Sequence, residues 1–284
     1  MAQETKFNYR DFVSPNDFVS AFWIAANYIL IAGTAFACIY FDHLFWYLYF
    51  PAVFFIATRQ NALQDALGHD STHYNLFKRK RWNVYGEFFY FVPMFDEFHR
   101  YRKDHAIHHK EVWAEEDPAR LAFERWGLLK PNVNWFYAWF IKPFLLLDFV
   151  YFWRETFTDL LEDPRYRIRI LGFWLPIIAA SIVFGFWDWL LLYWFVPMLW
   201  LKPAVEFWTE VNDHFNVQVG DTRDSRGLFY SLILRSHNDG YHALHHQYPK
   251  IPWYNLKKAH KVWSKDRDIE KSHGFFETYR AVKP

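Results

Sequence analysis

Between Phe18 and Phe41 the chain runs for 24 residues without a formal charge, about 36 Å of helix and enough to cross a bilayer. A second apolar run, Leu44 to Thr58, follows after only Asp42 and His43, then turns polar through Arg59, Gln60, Asn61, Gln64 and Asp65. The layout recurs: Ile170 to Trp187 and Trp189 to Leu201 are separated by Asp188 alone. Two tightly joined apolar pairs of this length point to membrane hairpins rather than to core helices of a soluble domain. Aromatic residues make up 23% of the chain, which suits a protein with two membrane–water interfaces, where Trp and Tyr gather.

The expected architecture is all-α: an integral membrane protein with four transmembrane helices at about 18–41, 44–64, 170–187 and 189–208. The returning leg of each hairpin continues as helix into the aqueous side, where a cytoplasmic helical cap is expected. No linker rich in Gly, Ser or Pro divides residues 1–284, so they read as a single domain. Neither hairpin tip carries Lys or Arg, whereas the middle segment holds Lys78, Arg79, Lys80, Arg81, Arg100, Arg102, Lys103 and Lys110. The positive-inside rule therefore puts both termini and that segment in the cytoplasm. Asn134 to Trp153, interrupted by Lys142, Pro143 and Asp148, reads as one interfacial helix lying on the membrane. Met1 to Pro15 lacks the apolar core of a secretory signal. The formal net charge is +1, so nothing argues for nucleic acid, and the single Cys38 excludes disulfide, zinc-thiolate and iron–sulfur frameworks.

The cytoplasmic segments carry the chemistry. His105-Ala-Ile-His108-His109 and His242-Ala-Leu-His245-His246 are two copies of His-x-x-His-His, and His69-Asp-Ser-Thr-His73 precedes them. With 14 histidines in the chain, chance placement predicts about 0.03 copies of that pattern. Neutral imidazole is the commonest metal ligand among side chains, and eight exceed what one ion needs. On a helix His69 and His73 share a face. In each His-x-x-His-His the first residue shares a face with both later ones, while the adjacent pair diverges by about 100°. One cluster can therefore feed two neighbouring ions.

His214 is a ninth candidate ligand, because Glu206, Glu210 and His214 repeat the four-residue spacing of Asp65, His69 and His73; a supporting role is the other reading. Glu210 and Asp65 are expected to orient imidazoles by accepting their other N–H, with Asp239 and His237 as further supports. His43 falls at the far tip; His99, His260 and His273 are isolated and read as surface or structural. His-Glu-x-x-His is absent, and a catalytic zinc site normally uses a single ion with three protein ligands. Imidazole-rich sites suit iron, copper or zinc, and iron is preferred because a pair of irons beside a membrane can direct O2 at unactivated C–H bonds. Arg100, Arg102 and Lys103 either hold a substrate head group or act as ordinary positive-inside anchors.

His-x-x-x-His followed by two His-x-x-His-His on paired hairpins resembles the membrane fatty-acid desaturase/hydroxylase superfamily. His242 to His246 with Pro249, Pro252 and Trp253 is similar to that family's third histidine box and its continuation. The resemblance implies a non-haem di-iron centre, O2 as oxidant, an aliphatic lipid or acyl-chain substrate, and electrons from an external carrier such as ferredoxin or rubredoxin with its reductase. It implies metal ligation by His69, His73, His105, His108, His109, His242, His245 and His246, with His214 as the extra histidine some members carry. The short first box is shared by desaturases, hydroxylases and ketolases, so the boxes name the chemistry better than the substrate. Desaturation is the leading expectation, hydroxylation or ketolation the alternative, and a non-catalytic membrane metal-binding protein a distant rival. Substrate is expected to enter laterally through an apolar tunnel lined by the Phe- and Trp-rich hairpins.

Overall fold

The computed structural model describes residues 7–110, 112–217 and 221–283, with the side chains of residues 42–46 outside that description. Helix α1 spans Asp17–Phe45 and α2 Tyr49–Asn61; α2 runs on through a π-helical segment, Ala62–Gly68, into α3, His69–Thr72. Short helices α4 (Lys80–Tyr85) and α5 (Glu87–Tyr90) lead to α6, Phe98–Lys110, and α7, Pro118–Arg125. Helices α8 (Phe149–Glu162) and α9 (Pro164–Val183) precede α10, Trp187–Leu190, which continues through two π-helical segments into α11, Lys202–His214. Then come α12, His242–Gln247, α13, Trp253–Trp263, and α14, Phe275–Val282. The protein is mostly helical, as expected; the described strands are β1, Asp224–Ser225, and β2, Lys271–Ser272, paired in parallel.

Three helices among the described residues are long and apolar enough to cross a membrane: Asp17–Phe41, Pro164–Val183 and Trp187–His214. Their outer faces bear exposed Phe18, Phe22, Ile29 and Phe36 on α1 and Ile168, Leu175, Ile182 and Val183 on α9. Apolar surface of that extent belongs against lipid. The second apolar run behaves differently. Val53, Ile56 and Ala57 on α2 are fully buried, and so is the polar stretch that follows. Gln60 donates to the Trp194 carbonyl at 2.9 Å, and Arg59 reaches the carbonyls of Leu232 and Ile233 at 3.1 Å. This leg is enclosed by the rest of the protein, which accounts for polar groups unsuited to lipid contact.

The hairpin turns lie a few residues away from where the polar punctuation suggested. Helix α1 continues through Asp42 and His43 to Phe45, and the reversal falls at Trp46–Leu48. In the second hairpin α9 begins earlier, at Pro164, because Asp163 caps it by accepting from the N–H groups of Arg165 and Tyr166. The turn is made at Gly185, whose φ of +74° suits a residue without Cβ. Asp188 consequently sits in the first turn of α10, where a carboxylate is favoured by the helix dipole. Residues 134–153 are not one interfacial helix. A π-helical turn at Tyr137–Ile141 and a tight turn at Lys142–Phe144 break it, as Pro143 requires, and Leu146 and Asp148 take positive φ before α8 begins.

Side chains distant in sequence tie the histidine-bearing segments together. The Asp70 carboxylate accepts from the Trp253 N–H at 2.8 Å, and Asn75 donates to the Pro249 carbonyl at 2.8 Å, so the stretch after the last histidine cluster is tied to α3. Arg223 is fully buried and donates to the Asn212 and Phe215 carbonyls, closing the C-terminal end of α11 just after His214.

Candidate metal centre

Four helix ends converge on one place: α3, the end of α6, the end of α11 and α12 supply nine imidazoles in two groups. His69, His73, His105, His109 and His245 form one, and His108, His214, His242 and His246 the other; within each group the donor atoms all lie within 4.8 Å of one another. All nine histidines predicted as ligands are thereby brought together. Each His-x-x-His-His divides between the groups in the same way. Its first and last residues, one helical turn apart, face one group, and the middle histidine crosses to the other. His105 and His109 pair against His108, and His242 and His246 against His245. The first residue shares its site with the i+4 partner and not the i+3 partner.

The rings meet through their Nε2 atoms. His69 and His73 each approach His105 Nε2 at 2.8 Å, and His109 and His245 stand 3.1 Å apart. In the second group His214 lies 3.1 Å from His108 and 3.0 Å from His242, which is 3.1 Å from His246. Two nitrogens bonded to one ion at about 2.1 Å and about 90° apart would be about 3.0 Å from each other. The spacing therefore fits two neighbouring transition-metal ions. Burial holds His69, His73, His105, His245 and His246 well below the ordinary imidazole range, and His109 at about 3, with neighbouring imidazoles adding to the effect. These rings are neutral at pH 7, the state in which they can donate a lone pair to a metal.

The supporting residues differ in part from those expected. Asp239 does stand by the centre, with Oδ1 3.9 Å from His69 Nδ1. Asp65 does not orient an imidazole: it accepts from Tyr101 Oη at 3.3 Å and Lys202 Nζ at 3.2 Å. The cause is the π-helical segment Ala62–Gly68, which adds a residue to the turn and rotates Asp65 off the face that carries His69. Glu210 has no hydrogen bond to an imidazole among the described residues; it lines a cavity beside His108 and His214. His237 is likewise no support for the centre. Its Nε2 lies 3.0 Å from Asn27 Nδ2 on α1, and its ring packs edge-on against Trp23 and Trp253. His260 is structural, held against Asp224 at 3.0 Å, while His99 and His273 are exposed and the side chain of His43 lies outside the described residues.

Two carboxylates escaped sequence reasoning. Asp117 Oδ1 lies 2.8 Å from His108 Nδ1, and the same side chain caps α7 by accepting from Ala119 N–H at 3.0 Å. Asp213 Oδ2 is 3.5 Å from His242 Nδ1 and also pairs with Arg235. The one available signal at Asp117 was its place before Pro118, the pattern of a helix start.

A cavity of about 410 Å³ reaches the histidines from the side of α6 and α8. It is lined by Asp65, Lys202, Glu206, Glu210, Arg235 and Asp239, and also by Phe95, Arg100, Arg125, Asp148, Phe152 and Glu155. Met94, Phe95, Ala122, Trp126, Phe152 and Met198 supply apolar surface, so the lining is mixed, where a uniformly apolar tunnel was expected.

The pattern of the family described as "Fatty acid desaturase" matches residues 44–278. Among curated proteins, the chain is 29% identical to "Dihydrorhizobitoxine desaturase" of Bradyrhizobium elkanii, over 89% of this chain and 77% of that protein. It is 25% identical to "sn-1 acyl-lipid omega-3 desaturase (ferredoxin)" of a Nostoc species, over 86% of this chain and 75% of that one. A "Beta-carotene ketolase" from a Paracoccus species is 26% identical over 56% of each chain. With its apolar helices, its clustered histidines and a match across most of its length, this integral membrane protein belongs to the fatty acid desaturase family.

Proposed function

We propose that this oxidoreductase introduces a double bond into an aliphatic chain, using O2 at a di-iron centre. The observation that carries the reading is the division of nine buried imidazoles into groups of five and four, each with the nitrogen spacing of ligands on one ion. His69, His73, His105, His109 and His245 would hold one iron, and His108, His214, His242 and His246 the other. Iron held there supplies the redox chemistry that lets O2 act on an unactivated C–H bond. The balance is simple: the substrate loses two hydrogens as the C=C bond forms, and O2 becomes two waters with two further electrons and two protons from a donor. A ferredoxin- or rubredoxin-type carrier with its reductase suits that role; the Nostoc relative's name includes ferredoxin.

The protein's own residues prepare the centre. Asp117 stands behind His108 at hydrogen-bond distance and keeps its Nε2 turned inward, while Asp213 and Asp239 lie 3.5 Å and 3.9 Å from the Nδ1 atoms of His242 and His69. The cavity admits the substrate and places one carbon against the histidines, where orientation decides which hydrogens are lost. In this reading α2 is the fourth membrane leg, enclosed by the others, and the termini and histidines face the cytoplasm. Hydroxylation or ketolation is the second reading, favoured by the ketolase among the relatives. An acyl lipid is the substrate that most of the relatives' names suggest.

The test is iron content followed by product. Purified protein is expected to carry two irons per chain and no haem. Expressed with a reductase, it should yield a product two hydrogens lighter than its substrate. Gain of one oxygen would select the second reading, and absence of iron would overturn both.

A further inference from the structure

The stretch between the first histidine cluster and α6 carries a surface that the metal centre does not use. Lys78, Arg79, Lys80 and Arg81 follow one another and are all exposed. Buried Asn83 fixes how they are presented. Its Oδ1 accepts from the Phe77 N–H at 3.0 Å, and its Nδ2 donates to the Phe77 and Arg79 carbonyls at 2.8 Å and 3.2 Å. The basic run is thereby clasped as a loop. Among the described residues none of its four cations makes an ion pair; Lys80 lies over the Tyr74 ring at 5.5 Å and Arg81 over Trp82 at 5.4 Å. Four like charges side by side repel one another and attract an anionic partner.

Contacts with α1 give the depth of this surface. The Lys78 N–H donates to Asp17 Oδ1 at 2.7 Å, and Ser20 Oγ donates to the Leu76 carbonyl at 2.6 Å. Asp17 is the first residue of the α1 span, so the cations stand at the level where that span leaves the bilayer. Farther along, Tyr28 Oη donates to the Phe89 carbonyl at 2.7 Å. Tyr28 lies about 16 Å beyond Asp17 on the helix axis. The chain therefore descends beside α1 between residues 78 and 89, toward the bilayer interior. Its side chains change to match. Trp82, Tyr85, Phe88 and Phe89 are each at least 40% exposed, while Asn83, Gly86, Glu87 and Tyr90 between and beside them are buried. Cations first, then Trp and Tyr, then Phe is the order of a membrane interface read from headgroup to acyl chain.

We propose that residues 78–89 form a docking surface for anionic phospholipid. Lys78, Arg79, Lys80 and Arg81 meet the negatively charged headgroups, and the four rings below them enter the acyl region. The rings are what select lipid over other anions. An acidic protein or a nucleic acid would satisfy the cations in water and leave four large aromatic side chains uncovered, whereas a bilayer covers both parts at once. The neighbouring helix α1 already presents Phe18, Phe22 and Ile29 to lipid. Positive-inside anchoring sets which side of a membrane a segment stays on; this surface in addition chooses among lipids.

The test is the lipid selectivity of the full-length protein. It is equilibrated in detergent micelles containing equal amounts of phosphatidylglycerol and phosphatidylcholine and recovered on an affinity resin. Its retained lipids are counted by mass spectrometry, with empty micelles subtracted. Phosphatidylglycerol is expected to be retained about threefold or more over phosphatidylcholine at low salt, and the preference should fade toward about 1 M salt. Lys78→Gln, Arg79→Gln, Lys80→Gln and Arg81→Gln combined should bring the ratio close to equality. Lys257→Gln, Lys258→Gln and Lys261→Gln, which remove exposed cations of α13, should leave it intact. If the fourfold variant does not insert, Lys78→Gln with Arg79→Gln, and Lys80→Gln with Arg81→Gln, should each weaken the preference. Equal retention of the two lipids by the unaltered protein overturns the proposal. So does a preference that survives removal of these cations, or one that falls as far in the α13 variant.

Discussion

His108 joins Asp117 to His214: its Nδ1 lies 2.8 Å from the Asp117 carboxylate, and its Nε2 faces His214 Nε2 at 3.1 Å. One carboxylate thus sets the direction of a ring that belongs to the four-histidine group. Asp117→Asn keeps a good helix cap, since Asn caps as well as Asp, but weakens the orientation of His108. We expect metal affinity or activity to fall by about 10–100-fold with little change in thermal stability. Iron analysis showing that the loss is confined to about one iron per chain would locate it in the four-histidine group. An unchanged iron content and rate would contradict this role.

The crossing of middle histidines between groups predicts an asymmetry. His245→Ala removes one of five imidazoles, and His246→Ala one of four. The smaller set has less redundancy, so His246→Ala should release its iron more readily than His245→Ala. Mössbauer spectra of the two iron-57-loaded variants should lose different halves of the signal. Identical residual spectra would mean the two groups are not separate sites.

Acid should empty and destabilise the centre. The buried His109 has a pKa of about 3 against an ordinary 6.5, so the folded protein binds fewer protons than the unfolded chain between those values. Its neutral state contributes stability that is fully present above about pH 6.5 and lost as pH falls toward about 3. Protons also compete with metal for the same nitrogens. Iron retention and thermal midpoint should decline together through that window, and stability that rises on acidification would refute the account.

His237 offers a control, because it sits away from the centre and satisfies Asn27, a residue 1% exposed on α1. His237→Ala removes one of the two contacts of the Asn27 Nδ2, which keeps its bond to the Trp23 carbonyl at 2.8 Å, with an expected loss of about 1 kcal/mol. Thermal inactivation should shift downward while iron remains at two per chain. Loss of iron would restore the supporting role that its position near the last cluster suggested.

Two glycines separate backbone strain from ordinary tolerance. Gly227 has φ of +92°, and a Cβ there would press against the His273 carbonyl oxygen, whereas a Cβ at Gly33 meets nothing within 4 Å. Gly227→Ala should cost about 1–3 kcal/mol and loosen the neighbouring β1–β2 pairing. Gly33→Ala should leave the thermal midpoint unchanged or slightly raised. Equal behaviour of the two would count against the turn geometry.

Much of this protein is legible locally. Helical spacing brings His105 and His109, or His242 and His246, to one face, and long uncharged runs announce membrane helices, because both properties depend on neighbours a few residues apart. Turn positions were less legible: Asp42, His43 and Asp188 look like punctuation, yet helices absorb all three, and the reversals fall at Trp46–Leu48 and around Gly185. Asp65 misled because a regular α-helix places it over His69, and no residue in Ala62–Gly68 signals the π-helical turn that moves it away.

By itself the sequence determined the helical class, the membrane runs and the identity of the nine histidines, since each follows from composition and period within a short window. Only the tertiary structure decided how those histidines divide into five and four, that Asp117 supports His108, and that a cavity of mixed charged and apolar lining leads to them. Those outcomes depend on which helix ends meet. Contacts such as Asp70 with Trp253, 183 residues apart, are set by packing of the whole chain and leave no periodic mark in either segment.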